Sequence, residues 1–130
     1  MATKTDISPR IDFRGVLTPD NLKFEEVADD STAHDYLVEA NGKSRILVAV
    51  DNPANQSVNV SLYGAHASNA QVGDAGAFAI GSTFSVSSAS KDYAVAADPF
   101  PYYIVRAQYV STPTDTPTKT LTVFVNLAQG

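Results

Sequence analysis

The sequence predicts an all-β protein: an antiparallel β-sandwich, with a jelly roll as one arrangement open to it, and a flexible N-terminal arm. Apolar and polar residues alternate over roughly eight or nine short segments, and turn-forming residues separate these segments at near-regular spacing. No window keeps the 3.6-residue period of an amphipathic helix. Residues 1–10, which are polar with one proline, form the arm, and residues 11–130 form a single domain.

Four segments of the first half fit strands: residues 11–17, 22–27, 35–40 and 46–50. Residues 46–50 (ILVAV) are apolar on both faces, which predicts a central strand covered on both sides. Asn41 and Gly42, just before this strand, form a dipeptide typical of hairpin turns. The polar stretch DNPANQS, residues 51–57, predicts a loop that joins two adjacent antiparallel strands.

In the second half, residues 58–62 alternate cleanly and predict a strand with one buried face. Residues 65–79 are rich in Gly, Ala, Ser and Asn and predict a long loop or a loosely paired edge, and in the next strand, residues 78–86, Gly81 marks a bulge. Further alternation predicts three more strands: one on Tyr93, Val95 and Ala97, one over residues 102–110, and one on Leu121, Val123, Val125 and Leu127.

Composition excludes several classes of function. Nine Lys and Arg against fourteen Asp and Glu give a net charge of -5, and the basic residues form no stripe, so we expect no nucleic-acid partner. The chain has no cysteine, which excludes disulfides, Cys-zinc sites and thiol nucleophiles. It shows no signal-peptide apolar region and no membrane-spanning apolar run, so we expect synthesis in a host cytoplasm and no membrane partner.

Residues with catalytic chemistry form no recognisable motif. The sequence contains no G-x-S-x-G motif, the turn that presents a nucleophilic serine to a catalytic histidine, so neither histidine has a recognisable serine partner. Glu25 and Glu26 are neighbours in a predicted strand and point to opposite faces, so they do not form a carboxylate pair for one substrate. Residues 26–30 offer carboxylates to calcium but lack the spacing of a calcium loop. We therefore expect a protein that is not an enzyme, with no catalytic residue, cofactor or metal ion.

Aromatic and aliphatic residues on predicted outer faces indicate a contact surface. Alternation places Tyr102, Ile104 and Phe124 opposite the core faces of their strands. Such residues form either a subunit interface or the second covered face of a middle strand. A carbohydrate platform of Tyr102, Tyr103 and Tyr63 is a further alternative, although the chain has no tryptophan.

Three stretches within roughly the last ninety residues share one texture: LVAVDNPANQSVNVSLYG, YAVAADPFPYYIVRAQYV and PTKTLTVFVNLAQG. They resemble the small β-sandwich virion proteins of tailed bacteriophages, namely capsid decoration (cement) and head-fibre proteins. The resemblance lies in short Val- and Thr-rich strands with Asn-Pro and Pro-Thr turns. It implies a protein without catalytic residues that binds an assembled capsid lattice, often as a trimer, with an N-terminal arm that reaches a neighbour.

The sequence therefore predicts a virion structural protein at the capsid surface. Its expected partners are the major capsid protein or other shell subunits, together with copies of itself in a homo-oligomer, a trimer being favoured. The expected interface residues are Ile7, Ile11 and Phe13 of the N-terminal region with Tyr102, Ile104 and Phe124 of the sheets. The alternative is an extracellular adhesion or carbohydrate-binding β-sandwich module.

Overall fold

The computed structural model describes residues 3–7, as backbone, and residues 22–128. The strands of these residues are β1 (Thr3–Ile7), β2 (Leu22–Val27), β3 (His34–Glu39), β4 (Arg45–Asn52), β5 (Val58–Ala65), β6 (Ala77–Val86), β7 (Ser90–Ala96), β8 (Tyr102–Tyr109) and β9 (Thr120–Ala128). Within this part of the chain, no helix has the length and apolar character needed to cross a membrane.

The strands form two sheets, and eight of them follow the order of a jelly roll. The four-stranded sheet has the order β2-β9-β4-β7, and the five-stranded sheet has the order β1-β3-β8-β5-β6. Antiparallel pairs are nested along the chain: β2 with β9, β3 with β8, β4 with β7 and β5 with β6. Rolling up this long double hairpin places β4 beside β9 and β5 beside β8. The predicted antiparallel β-sandwich is confirmed, in its jelly-roll form.

The predicted hairpin around residues 51–57 is wrong. β4 belongs to the four-stranded sheet and β5 to the five-stranded sheet, so the loop crosses from one sheet to the other. The Asn41-Gly42 turn has the expected positive φ angles of 52° and 78°, but it also connects strands of opposite sheets. Consecutive strands with one strongly buried face each can bury those faces against one another across the sandwich, which side-by-side pairing does not achieve.

The core lies between the sheets and is filled by the inward positions of each strand. In β9, Leu121, Val123, Val125 and Leu127 are all buried while the residues between them are more exposed, as the alternation predicts. In β8 the predicted inner face is likewise buried, from Tyr103 to Tyr109. Phe24 of β2 stacks on Tyr36 of β3 with ring centroids 4.7 Å apart, so these two strands face each other across the core.

A buried amide network ties the β4 end of the core to its neighbours. The Asn52 side chain is fully buried, and its Nδ2 donates to the carbonyls of Gln56, Val86 and Ser87 at 2.9–3.1 Å. Its Oδ1 accepts from the Tyr109 hydroxyl at 2.9 Å and from the Ala54 amide at 3.2 Å. Burial raises the pKa of Tyr109 to about 12, so this phenol remains a donor at neutral pH.

The N-terminal segment, which the sequence predicts to be a flexible arm, includes one strand. Residues 3–7 form β1, which pairs in parallel with β3 at the edge of the five-stranded sheet, from Thr3 opposite His34 to Ile7 opposite Val38. The backbone groups of the β3 edge explain this pairing, because an open strand edge accepts a further strand. The predicted strand over residues 11–17 lies outside the described residues.

Candidate binding face

The outer face of the four-stranded sheet carries a patch of exposed apolar side chains. Alternation turns Leu47 and Ala49 of β4, Tyr93 and Val95 of β7, and Phe124 of β9 away from the core. We call these five residues the apolar strip. Tyr93 is 66% exposed, Val95 51% and Phe124 41%, which is unusual for large apolar side chains on one sheet face.

The strand register builds a groove within the apolar strip. Ala49 lies directly opposite Tyr93 on one side and Phe124 on the other. The two aromatic rings therefore rise on either side of a methyl group, and the groove between them has a volume of about 550 Å³. Leu47, opposite Val95, continues the apolar floor along β4. The groove is open to solvent and mostly apolar.

Charged groups lie at the ends of this groove. Asp51 and Lys91 are cross-strand partners one step along the sheet from the aromatic pair, and Asp92 also lines the groove. On the far side of Phe124, Lys23 of β2 is its direct neighbour. An apolar centre with a charged rim is the usual anatomy of a protein contact surface.

The structure separates the residues that the sequence placed on outer faces. Phe124 lies in the apolar strip. Ile104 is fully buried, because the loop between β5 and β6 folds over it and packs Ala70 and Val72 against it, Leu37 and Ala65. Of the two alternatives for Ile104, a second covered face is therefore the observed one.

The predicted carbohydrate platform does not form. Tyr103 is fully buried, because β8 turns its odd-numbered residues inward, and its hydroxyl donates to the Asp98 carbonyl. Burial raises the pKa of this phenol. Tyr63 and Tyr102 are half-buried against the cluster around Ile104, so the three rings do not share an open surface. Ile11 and Phe13 lie outside the described residues, and Ile7 is described only as backbone.

An ion pair braces the outer face of the five-stranded sheet. Arg106 donates to both oxygens of Asp35, at 2.7 Å and 2.9 Å, across the β3–β8 pair. Asp35 is buried, and its hydrogen bonds raise the pKa of Arg106. The bidentate pair neutralises both charges, so the arginine is held in a structural contact.

Among the described residues, a second group of close titratable side chains centres on His34. Its Nε2 lies 3.0 Å from Asp30 Oδ1, and its Nδ1 lies 3.8 Å from Glu26 Oε2. The hydrogen bond with His34 lowers the pKa of Asp30. No group of three or more His, Asp or Glu in residues 22–128 is arranged to hold a metal ion.

Sequence reasoning missed four of the five residues of the apolar strip. The signal was present, because residues 46–50 are apolar on both faces and Tyr93 and Val95 alternate. We interpreted the first pattern as a strand covered on both sides, whereas Leu47 and Ala49 line an open groove. In β7 the small residues Ala94 and Ala96 face the core, and the larger Tyr93 and Val95 face outward. Alternation is normally interpreted the other way, with the larger apolar residues in the core.

Comparison with known proteins supports the fold. The sequence matches no protein-family model and no curated protein. Among solved structures, the PBSX exported protein XepA matches with a TM-score of 0.65 at 10% identity over 94% of this chain, which spans 44% of XepA. PliG of Aeromonas hydrophila, a periplasmic inhibitor of g-type lysozyme, matches with a TM-score of 0.53 at 14% identity over 98% of this chain and 99% of PliG.

A third structure is CorA, a surface-associated copper-binding protein of Methylomicrobium album BG8. It has a TM-score of 0.52 and 8% identity, over 96% of this chain and all 100% of CorA. These matches show that the whole described domain has a known β-sandwich architecture. At such low identities they carry the fold and not the function, because one fold supports many functions.

Proposed function

We propose that this protein is a non-enzymatic structural protein of a virion that binds and stabilises an assembled capsid shell. The observation that carries the proposal is the apolar strip, an exposed patch on a sandwich whose core is already filled. Such a patch costs solubility unless a partner covers it, so its presence favours a contact surface. Its partners are neighbouring subunits of the shell layer.

The groove suits a localised protein contact. Contact energy concentrates where aromatic residues surround a small hole that excludes water, with neutral or charged groups at the rim. The groove provides such a pocket, with Tyr93 and Phe124 as its walls and Ala49 as its floor. Asp51 and Lys91 form part of its rim. Many copies with a modest affinity each would hold a shell firmly, since binding to the assembled form stabilises it by linkage.

Three further observations support a place outside the producing cell, on the capsid surface. The sequence resembles phage decoration and head-fibre proteins, and one structural neighbour is an exported protein of the phage PBSX. The jelly roll itself is common in viral capsid domains.

A carbohydrate-binding module is the second candidate, and the aromatic walls of the groove favour it. Tyr93 and Phe124 are two strands apart, about 10 Å between their backbones, which leaves room for one sugar ring. The apolar floor of Leu47 and Ala49 opposes it, because sugar hydroxyls need polar partners. A glycan array with strong hits that a Tyr93→Ser substitution abolishes would establish this function instead.

Sedimentation with capsid particles tests the first proposal. The full chain is mixed with particles assembled from the major capsid protein encoded in the same genome and is separated on a glycerol gradient. We expect the wild-type chain to sediment with the particles and Tyr93→Ser to remain at the top. Val110→Ser changes an apolar residue outside the strip that is also more than half exposed, and this matched control should still bind. A genome that encodes no capsid protein, or equal sedimentation of the Tyr93 and Val110 variants, would contradict the proposal.

A further inference from the structure

The strand β6 forms an open edge of the five-stranded sheet. Among the described residues, the edge strands of the two sheets are β1, β2, β6 and β7. β6 has ten residues, whereas the other three have five to seven. Its one neighbour within the described strands is β5, so the backbone groups on its other side face no further strand. Such an edge can accept a strand from another chain.

This edge lacks the charged residues that keep sheet edges from pairing. The sequences of β1, β2 and β7 each contain a lysine and at least one carboxylate, whereas β6 (AFAIGSTFSV) contains neither a charged residue nor a proline. Charged residues and prolines are the usual protection of an edge. The protective feature that β6 does have is its bulge at Gly81. The composition of β6 therefore permits pairing with another chain.

The side chains of β6 leave an apolar margin along this edge. Six of its ten residues are exposed. Phe78 is 50% exposed, although its ring stacks on Phe100 with centroids 5.8 Å apart. Phe84 is half-buried against the core. Both phenylalanines point to the core side of the sheet, opposite Gly64 and Val60 of β5, so an added strand would cover apolar side chains as well as backbone.

The sequence of β6 is nearly symmetric about Gly81, which points to a second copy as the added strand. Phe78 and Phe84 each lie three residues from Gly81, and Ala79 and Thr83 each lie two residues from it. When two identical strands pair antiparallel about a two-fold axis, positions equally distant from the axis lie opposite each other. With Gly81 on the axis, Phe78 of each copy lies opposite Phe84 of the other. Aromatic pairs across two strands stabilise a sheet.

The bulge favours the same register. Gly81 has a φ of 67°, and the register between β5 and β6 shifts beside it. Pairing centred on Gly81 sets the two irregular places against each other and leaves regular strand on both sides. Another register would set each bulge against a regular stretch and interrupt the ladder twice. A second copy has the matching irregularity because its strand is identical.

We propose that two copies of this chain pair through their β6 strands, antiparallel about Gly81, and so join their five-stranded sheets into one continuous sheet. The inference goes beyond the proposed function and does not depend on it, because the apolar strip belongs to the other sheet. The expected assembly is a dimer, whereas the resemblance to phage proteins implies a trimer.

Charges introduced at facing positions test both the pairing and its register. Ala79 and Thr83 are exposed, and the proposed register sets each opposite the other residue of the second copy. Ala79→Lys with Thr83→Lys creates two lysine pairs across the interface, and Ala79→Glu with Thr83→Glu creates two glutamate pairs. Both double variants lose the hydrogen bond between the Thr83 and Ser61 hydroxyls, so their mixture isolates the effect of charge. Val27→Lys with Val110→Lys adds the same two charges at exposed positions outside β6 and is the matched control.

Molar mass is measured by light scattering after size exclusion over a concentration series, and circular dichroism confirms that each variant folds. We expect the wild type and the control to form dimers and each β6 double variant alone to associate at least about tenfold more weakly, because like charges lie opposite each other. An equimolar mixture of the lysine and glutamate variants should regain the dimer. A wild type that is monomeric at every concentration or trimeric, β6 variants that dimerise as the wild type does, or a mixture that remains monomeric would overturn the inference.

Discussion

Replacing Asn52 by alanine should destabilise this protein more than the loss of any single hydrogen bond elsewhere. The Asn52 amide has two N–H groups and one carbonyl oxygen with two lone pairs. The structure uses all of them: the three carbonyl acceptors share the two N–H groups, and Tyr109 and Ala54 both donate to the oxygen. The site is fully buried, so water does not replace the missing partners without entering the core.

The expected magnitude follows from this count of four hydrogen-bonding positions. Each buried hydrogen bond contributes about 1 kcal/mol net, and each group left without a partner costs about 1–3 kcal/mol. Asn52→Ala should therefore lower the free energy of unfolding by about 4 kcal/mol, a large part of the roughly 5–15 kcal/mol of a typical domain. The substitution Tyr109→Phe removes one of these bonds and should cost about 1 kcal/mol.

Urea unfolding followed by far-ultraviolet circular dichroism measures both effects. With a urea slope of about 2 kcal/mol per molar, the Asn52→Ala midpoint should fall by about 2 M, and the Tyr109→Phe midpoint by about 0.5 M. The reasoning would be refuted if Asn52→Ala cost no more than Tyr109→Phe, since the amide would then contribute nothing beyond its bond to the phenol.

Two further predictions concern the charged groups. Asp35→Ala should lower the free energy of unfolding by about 2–3 kcal/mol, because it leaves the part-buried Arg106 unpaired. A double-mutant cycle with Arg106→Ala, measured by urea unfolding, should give a clear coupling energy between the two residues. Additive effects of the two substitutions would contradict the bidentate contact. The hydrogen bond with His34 lowers the pKa of Asp30. The charged Asp30 therefore stabilises the fold at pH values above the ordinary aspartate pKa, and this stabilisation is lost as the pH falls through the lowered pKa. Urea midpoints measured across this acid range should therefore fall more steeply for the wild type than for His34→Gln, and parallel curves would show that the His34 contact is not responsible.

Local patterns were sufficient to predict strands β2 to β9 and most of the core. The inward positions of β8 and β9 follow directly from alternation, because successive side chains of a strand point to opposite faces whatever its partners are. Gly81, predicted to mark a bulge, has a φ of 67° and lies where the register between β5 and β6 shifts. These features depend on neighbours in sequence, and the sequence therefore reports them.

Those local patterns did not predict which strands pair with each other. Asn41-Gly42 and residues 51–57 have good hairpin residues, yet both connect opposite sheets, because nested pairing over long sequence distances decides which strands lie side by side. The same holds for the binding face. Ile104 and Phe124 have the same signature in sequence, but a loop covers one and leaves the other exposed.

The sequence by itself determined that this chain folds into short strands with one apolar face, has no cysteine chemistry and has an acidic balance. Only the tertiary structure decided that the strands roll into a jelly roll and that Leu47, Ala49, Tyr93, Val95 and Phe124 meet on one open face. The physical reason is that alternation is a property of each strand alone. Strand pairing, and the choice of which outer face a loop covers, depend on residues far apart in the chain.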